Sequence, residues 1–106
     1  MKWTRVADLK PFTVDMNVRA RIVKSEPAKE VTTKDGRTVA RQRLEIEDPE
    51  GSPRIRLVLW GEDAGRFRLG NVVEVRDGIV KIYGRTVELA LGHGSVRLAP
   101  RSRQGS

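Results

Sequence analysis

Trp60 closes a short alternating run, Arg54-Ile55-Arg56-Leu57-Val58-Leu59-Trp60, in which two guanidinium groups and an indole recur at even spacing. In an extended chain, successive side chains point to opposite faces. Arg54, Arg56, Val58 and Trp60 therefore share one side, while Ile55, Leu57 and Leu59 share the other. An indole beside arginines is a poor core element and a good platform for a nucleobase. Such stacking is worth about 1–3 kcal/mol per base and tolerates any base. The guanidinium groups can pair with phosphates and also stack on bases. Arg41 and Arg43 share a parity in the preceding stretch, as do Arg19 and Arg21 further upstream. The competing reading makes Trp60 a plug for the end of a barrel and the arginines a solvated face paired with Glu45 and Glu47. Surface pairs of that kind contribute only about 0–1 kcal/mol. Strand parity favours the outward placement.

Other chemistry has little to work with. The chain has no cysteine and a single histidine, His93, which excludes disulfides, thiolate catalysis and Cys-based zinc sites. The carboxylates lie in turns or between basic residues, and neither a nucleophile–base pair nor a phosphate-cradling glycine motif is present. No enzymatic activity and no cofactor is expected.

The elements that must position Trp60 and its arginines are strands. The apolar period is two, in short stretches separated by Gly, Asp and Pro. A first strand starts at Val18-Arg19-Ala20-Arg21-Ile22 and continues toward Val31. Asp35-Gly36 supplies a tight hairpin turn into a second strand, Thr38 to Asp48. In that strand Gln42, Leu44 and Ile46 face one way, and Val39, Arg41, Arg43, Glu45 and Glu47 the other. Asp48-Pro49-Glu50-Gly51-Ser52-Pro53 is a turn, followed by the third strand ending at Trp60. Gly61 to Gly70 predicts about two helical turns. A fourth strand runs from Asn71 to Tyr83 with a bulge or bend at Asp77-Gly78. If that bend resets the alternation, Val80 and Ile82 point inward while Ile79, Lys81 and Tyr83 point outward. Tyr83-Gly84-Arg85 turns into a fifth strand, Thr86 to Leu91, and Ser95 to Leu98 adds a short edge. Leu9, Phe12 and Val14 are expected to cover one end of the barrel, and Trp3 to pack or be disordered.

Five strands with a short helix between the third and fourth suit a closed barrel, because closure removes unpaired edges. With 106 residues and 38% hydrophobic content there is room for one core. The expectation is one domain over residues 1–100 and a disordered basic tail over 101–106, which has no apolar residue. Lys and Arg number 21 against 14 Asp and Glu, a net charge of +7. That balance favours polyanionic partners, since each cation set near a phosphate releases condensed counterions. No apolar run approaches the roughly 20 residues that span a bilayer, and residues 1–12 lack the apolar centre of a secretory signal. A cytoplasmic location and no membrane partner are expected.

Four segments, in order and spacing, carry a family resemblance: Asp8-Leu9-Lys10-Pro11, Leu57-Val58-Leu59-Trp60-Gly61, Leu69-Gly70-Asn71-Val72-Val73 and Leu89-Ala90-Leu91-Gly92. Over about residues 6 to 98 the chain resembles the short archaeal single-stranded DNA-binding proteins, and is similar to replication protein A barrels and to the human sensor-of-single-stranded-DNA subunits. The resemblance implies an OB-fold with single-stranded DNA lying across the sheet on aromatic residues. The family's first aromatic position matches Trp60 and its third matches Tyr83. Its second falls on Ile79, which can pack against a base but cannot stack with comparable strength. The family's long tail, ending in partner-recruiting acidic residues, has no counterpart among these residues.

Together these readings predict sequence-tolerant single-stranded DNA binding, protecting exposed strands in replication or repair. The predicted interface comprises Trp60, Tyr83, Ile79, Arg41, Arg43, Arg54, Arg56, Lys81, Arg21 and Arg85. Single-stranded RNA is an alternative ligand, since stacking and phosphate pairing do not read the sugar. A third possibility is an interaction subunit of a larger replication or repair assembly, because fold does not dictate function.

Overall fold

The computed structural model describes residues 2–100; the expected tail at 101–106 lies outside them. Seven strands form one sheet: β1 (Thr13–Ser25), β2 (Lys29–Thr32), β3 (Thr38–Glu47), β4 (Ile55–Trp60), β5 (Val72–Tyr83), β6 (Thr86–Ala90) and β7 (Ser95–Leu98). They are ordered β1-β3-β4-β6-β5-β7. A further β1–β5 pairing closes the barrel, and β2 extends β3.

Every neighbouring pair is antiparallel except β4 and β6, where Arg56 lies beside Glu88, Leu57 beside Leu89 and Val58 beside Ala90. The alternating pattern fixes what faces inward. Val18, Ala20 and Ile22 of β1, Leu44 and Ile46 of β3, Ile55, Leu57 and Leu59 of β4, and Val73, Val75 and Val80 of β5 are all buried in one core.

Three expectations need correction. The strand count is seven rather than five. The long first strand stops at Ser25, ahead of Pro27, which has no amide proton for a ladder, and resumes as the separate β2. The edge segment Ser95–Leu98 is a full strand paired with β5. Second, no α-helix forms between β4 and β5. Gly61–Asp63 makes a single 3-10 turn, and Gly65, with φ of +79°, breaks any continuation. Third, Phe12 and Val14 do not cover the barrel. They are 81% and 56% exposed, and only Leu9 of the three packs against the core. Phe67, from the segment expected to be helical, is the aromatic residue buried in that core.

The bend expected at Asp77-Gly78 is present. Val18 pairs with Val75 and Met16 with Gly78, so β5 carries one extra residue between these pairs. Asp77 takes it up with φ of +56°, a left-handed conformation that aspartate tolerates better than most residues. Alternation is reset, with Val73 and Val75 buried before the bulge and Val80 after it, but Ile82, expected inward, is 42% exposed near the end of the strand. The turn between β6 and β7 is fitted tightly onto this bulge. A side chain on Gly94 would run into the backbone carbonyls of Arg76 and Asp77, and one on Gly92 would overlap Ile79 Cδ1. Backbone cannot swing aside as a side chain can. Gly94→Ala should therefore destabilise the fold by about 3 kcal/mol, at the upper end of ordinary overpacking, and urea denaturation measures this directly.

Candidate nucleic-acid interface

The outer face spanning β3, β4, β6 and the second half of β5 gathers most of the residues singled out by sequence. Strand register arranges them in rows. Trp60 lies opposite Arg41, and Arg41 lies opposite Lys29 of β2. The next row is Arg43, Val58, Ala90 and Ile79. The row after that is Glu45, Arg56, Glu88 and Lys81. Tyr83 sits at the far end of β5, opposite Thr86.

Trp60 is 43% exposed at the last position of β4, where the guanidinium carbon of Arg41 stands 5.8 Å from the ring centroid. It does not plug the barrel. Tyr83 is 67% exposed near the tip of the β5–β6 hairpin. Six residues along the strand direction and two strands across separate the two rings, roughly 20 Å by standard strand geometry. They are too far apart to sandwich one base. Between them, Val58 and Ala90 form a shallow apolar floor, their side chains buried although they face outward. Ile79 continues that floor and lies against Gly92.

The cations divide into two groups. Arg54 is committed to Glu45 at 3.5 Å and Glu47 at 3.8 Å, and Arg56 to Glu88 at 3.1 Å. Arg21 is paired with Glu47 at 3.4 Å. Arg21 and Arg54 are thus paired with the carboxylates expected for a solvated face, while Arg56 is paired with Glu88, which is buried. Arg41, Arg43, Lys81 and Arg85 have no ion pair among the described residues. These four are cations on or beside the face that no carboxylate among the described residues holds within 4 Å, although Lys81 lies opposite Glu88.

Sequence reasoning missed two contributors. Lys29 was inside an over-long first strand. Counting outward from the Asp35-Gly36 turn places Thr32 against Thr38, Val31 against Val39 and Lys29 against Arg41, as observed. The signal was there. Glu88, by contrast, neutralises Arg56 only because β4 and β6 run parallel, which local alternation cannot reveal. The β2–β3 turn is held by the Thr33 hydroxyl donating to the Asp35 carboxylate, which keeps that carboxyl below the ordinary aspartate value. Arg37 pairs with Asp35 at 3.4 Å.

A groove of about 870 Å³ lies elsewhere, between residues 3–5, Arg19 and Leu98–Pro100, and shares no residue with this face. Trp3 packs beside it, with the Arg76 guanidinium 5.6 Å from its ring centroid. A smaller groove of about 360 Å³, lined by Glu45, Arg54, Arg56, Arg85 and Thr86 among others, lies on the face itself. Among the described residues no group of three or more His, Asp or Glu side chains is placed to hold a metal ion, and no helix is long and apolar enough to cross a membrane.

No family model matches the chain. The single-stranded DNA binding protein Ssb of Saccharolobus solfataricus is 29% identical over 101 residues, covering 95% of this chain; the chain spans 66% of that relative's length. The second OB-fold domain of replication protein A from Methanococcus maripaludis superposes with a TM-score of 0.74 at 26% identity, over 97% of this chain and all of that one. A replication protein A heterotrimer bound to single-stranded DNA gives a TM-score of 0.76 at 17% identity, covering 97% of this chain and 26% of that one. Pot1pC of Schizosaccharomyces pombe bound to single-stranded DNA gives 0.71 at 14% identity, covering 98% of this chain and 91% of that one. The described residues thus form an OB-fold barrel, homologous in sequence to an archaeal single-stranded DNA-binding protein and similar in structure to archaeal replication protein A domains.

Proposed function

We propose that this protein binds single-stranded DNA across the β3–β4–β6–β5 face with little dependence on base sequence. The observation that carries the reading is the Trp60 indole, left 43% exposed on a cationic strand face beside Arg41. The exposed part of the indole gains nothing from packing and offers a flat surface to a base. Tyr83 takes a second base, and Val58, Ala90 and Ile79 give the strand an apolar floor. Arg41, Arg43, Lys81 and Arg85 meet the phosphates. Arg21, Arg54 and Arg56 contribute less, because phosphate contact there requires breaking existing pairs with Glu45, Glu47 or Glu88.

The relatives named above support the same ligand: one is a single-stranded DNA binding protein, and two of the structures hold single-stranded DNA. A binding role without catalysis, in protecting exposed DNA during replication or repair in the cytoplasm, follows from this reading, as does operation within a replication protein A-like assembly. One barrel would cover about 4 or 5 nucleotides, within the range for such modules.

Titration with oligo-dT should quench tryptophan fluorescence, and Trp60→Ala should lower affinity by about 1–3 kcal/mol. Absence of quenching by oligo-dT, oligo-dA and oligo-U alike would remove Trp60 from the site. Comparing oligo-dT with oligo-U measures how far the face separates DNA from RNA.

The division among the cations gives an independent test. Arg43→Ala should reduce the slope of log affinity against log salt by roughly one contact's worth, about 0.7 for single strands. Arg54→Ala should change that slope much less. Equal slopes for the two variants would show that the ion pairs seen in the free protein do not decide which arginines meet phosphate.

A further inference from the structure

Among the described residues, three other than glycine adopt left-handed backbone conformations: Phe12 (φ +64°), Asp15 (φ +59°) and Asp77 (φ +56°). The two aspartates are unremarkable there. An aromatic side chain in that region is strained. Such strain is ordinarily offset by packing, yet Phe12 is 81% exposed, the highest value among the large apolar side chains. Its backbone is nonetheless firmly placed. The Phe12 amide donates to the Val80 carbonyl at 2.7 Å, and Thr13 pairs with Val80.

That anchoring sets Phe12 against the edge of β5 opposite to β6, level with the stretch that carries Ile79 and Lys81. Val14, 56% exposed, follows it along β1. Register thus sets the Phe12 backbone one position beyond the Thr13–Val80 pair, level with Lys81 on the β5 edge away from β6, and the ring is uncovered there. Lys10 and Lys81, both exposed, lie close by in sequence and register. On the β6 side of the same stretch, Ile79 lies against Gly92 and offers no ring.

We propose that Phe12 is a further base-stacking residue, extending the oligonucleotide path from the β5 edge onto the start of β1. The inference rests on the single-strand-binding reading above. An exposed ring whose backbone is held by a hydrogen bond to Val80, with Lys10 and Lys81 close by in sequence and register, suits a base with its phosphate near Lys81 or Lys10. Strain at Phe12 is maintained because the ring is needed where it is, and not because it packs.

The test uses fluorescence anisotropy with labelled oligo-dT about 12 nucleotides long, together with thermal melting. Phe12→Gly removes ring and strain together, and Phe12→Asn keeps a residue suited to the left-handed region while removing the ring. Both should weaken binding about fivefold or more, with Tm unchanged or raised, and Phe12→Trp should stay within about twofold of wild type. If wild type binds and Trp60→Ala weakens it, but both ring-removing variants bind normally, the proposal for Phe12 falls and the stacking face stands. A drop in Tm for Phe12→Gly would show a packing role and also overturn it. If wild type does not bind the oligonucleotide, the functional reading falls, and Phe12 with it.

Discussion

β5 has to serve two sets of neighbours. Its first half lies between β1 and β7, and its second half lies between the start of β1 and β6. In both halves its apolar residues must reach the same core, although the barrel turns a corner between them. An unbroken alternation could not do this while also placing Ile79, Lys81 and Tyr83 on the outer face. One inserted residue at Asp77 changes the parity, and Gly78 leaves room for Val75, Leu89 and the Ala90 carbonyl to close around it. The tight seat of Gly92 and Gly94 on this bulge then fixes the turn into β7. The outer face owes its composition to that single irregularity.

Electrostatics within the face are organised by the cross-strand rows. The row Glu45, Arg56, Glu88 and Lys81 alternates in sign, so opposite charges sit side by side on the pleat. Arg54 draws on both Glu45 and Glu47. On the opposite side of β5, Glu74 is buried among Arg19, Arg76 and Arg97, with the closest contact 3.0 Å from Arg97. Carboxylates thus neutralise arginines around much of the barrel, and the uncommitted cations on the outer face cluster near Trp60 and along the β5–β6 hairpin. A net charge of +7 understates how unevenly the cations are available.

Much of this was legible from the residues. Alternation assigned the inward and outward sides of β1, β3 and β4 correctly, and Asp77-Gly78 announced its bulge. Three things were not legible. Glycines at 61, 65 and 70 override the amphipathic look of the intervening segment, since each has a left-handed φ. The parallel contact of β4 with β6 joins residues about 30 positions apart, and it decides that Arg56 is paired. Phe12, apolar and near the start, reads as core by composition. Its exposure follows from a backbone conformation that no sequence pattern displays.

The pairing of Thr13 with Val80 closes the barrel between residues near opposite ends of the described chain. Ordering so long a loop before any contact repays it makes closure a late and slow event in folding. On a ribosome, Trp60 would emerge well before β5 and β6, so the indole and its arginines would be exposed as an isolated hairpin without the floor that completes them. The complete face exists only once β5 and β6 have joined β3 and β4, and a ligand that spans β3 to β5 stabilises that joined state.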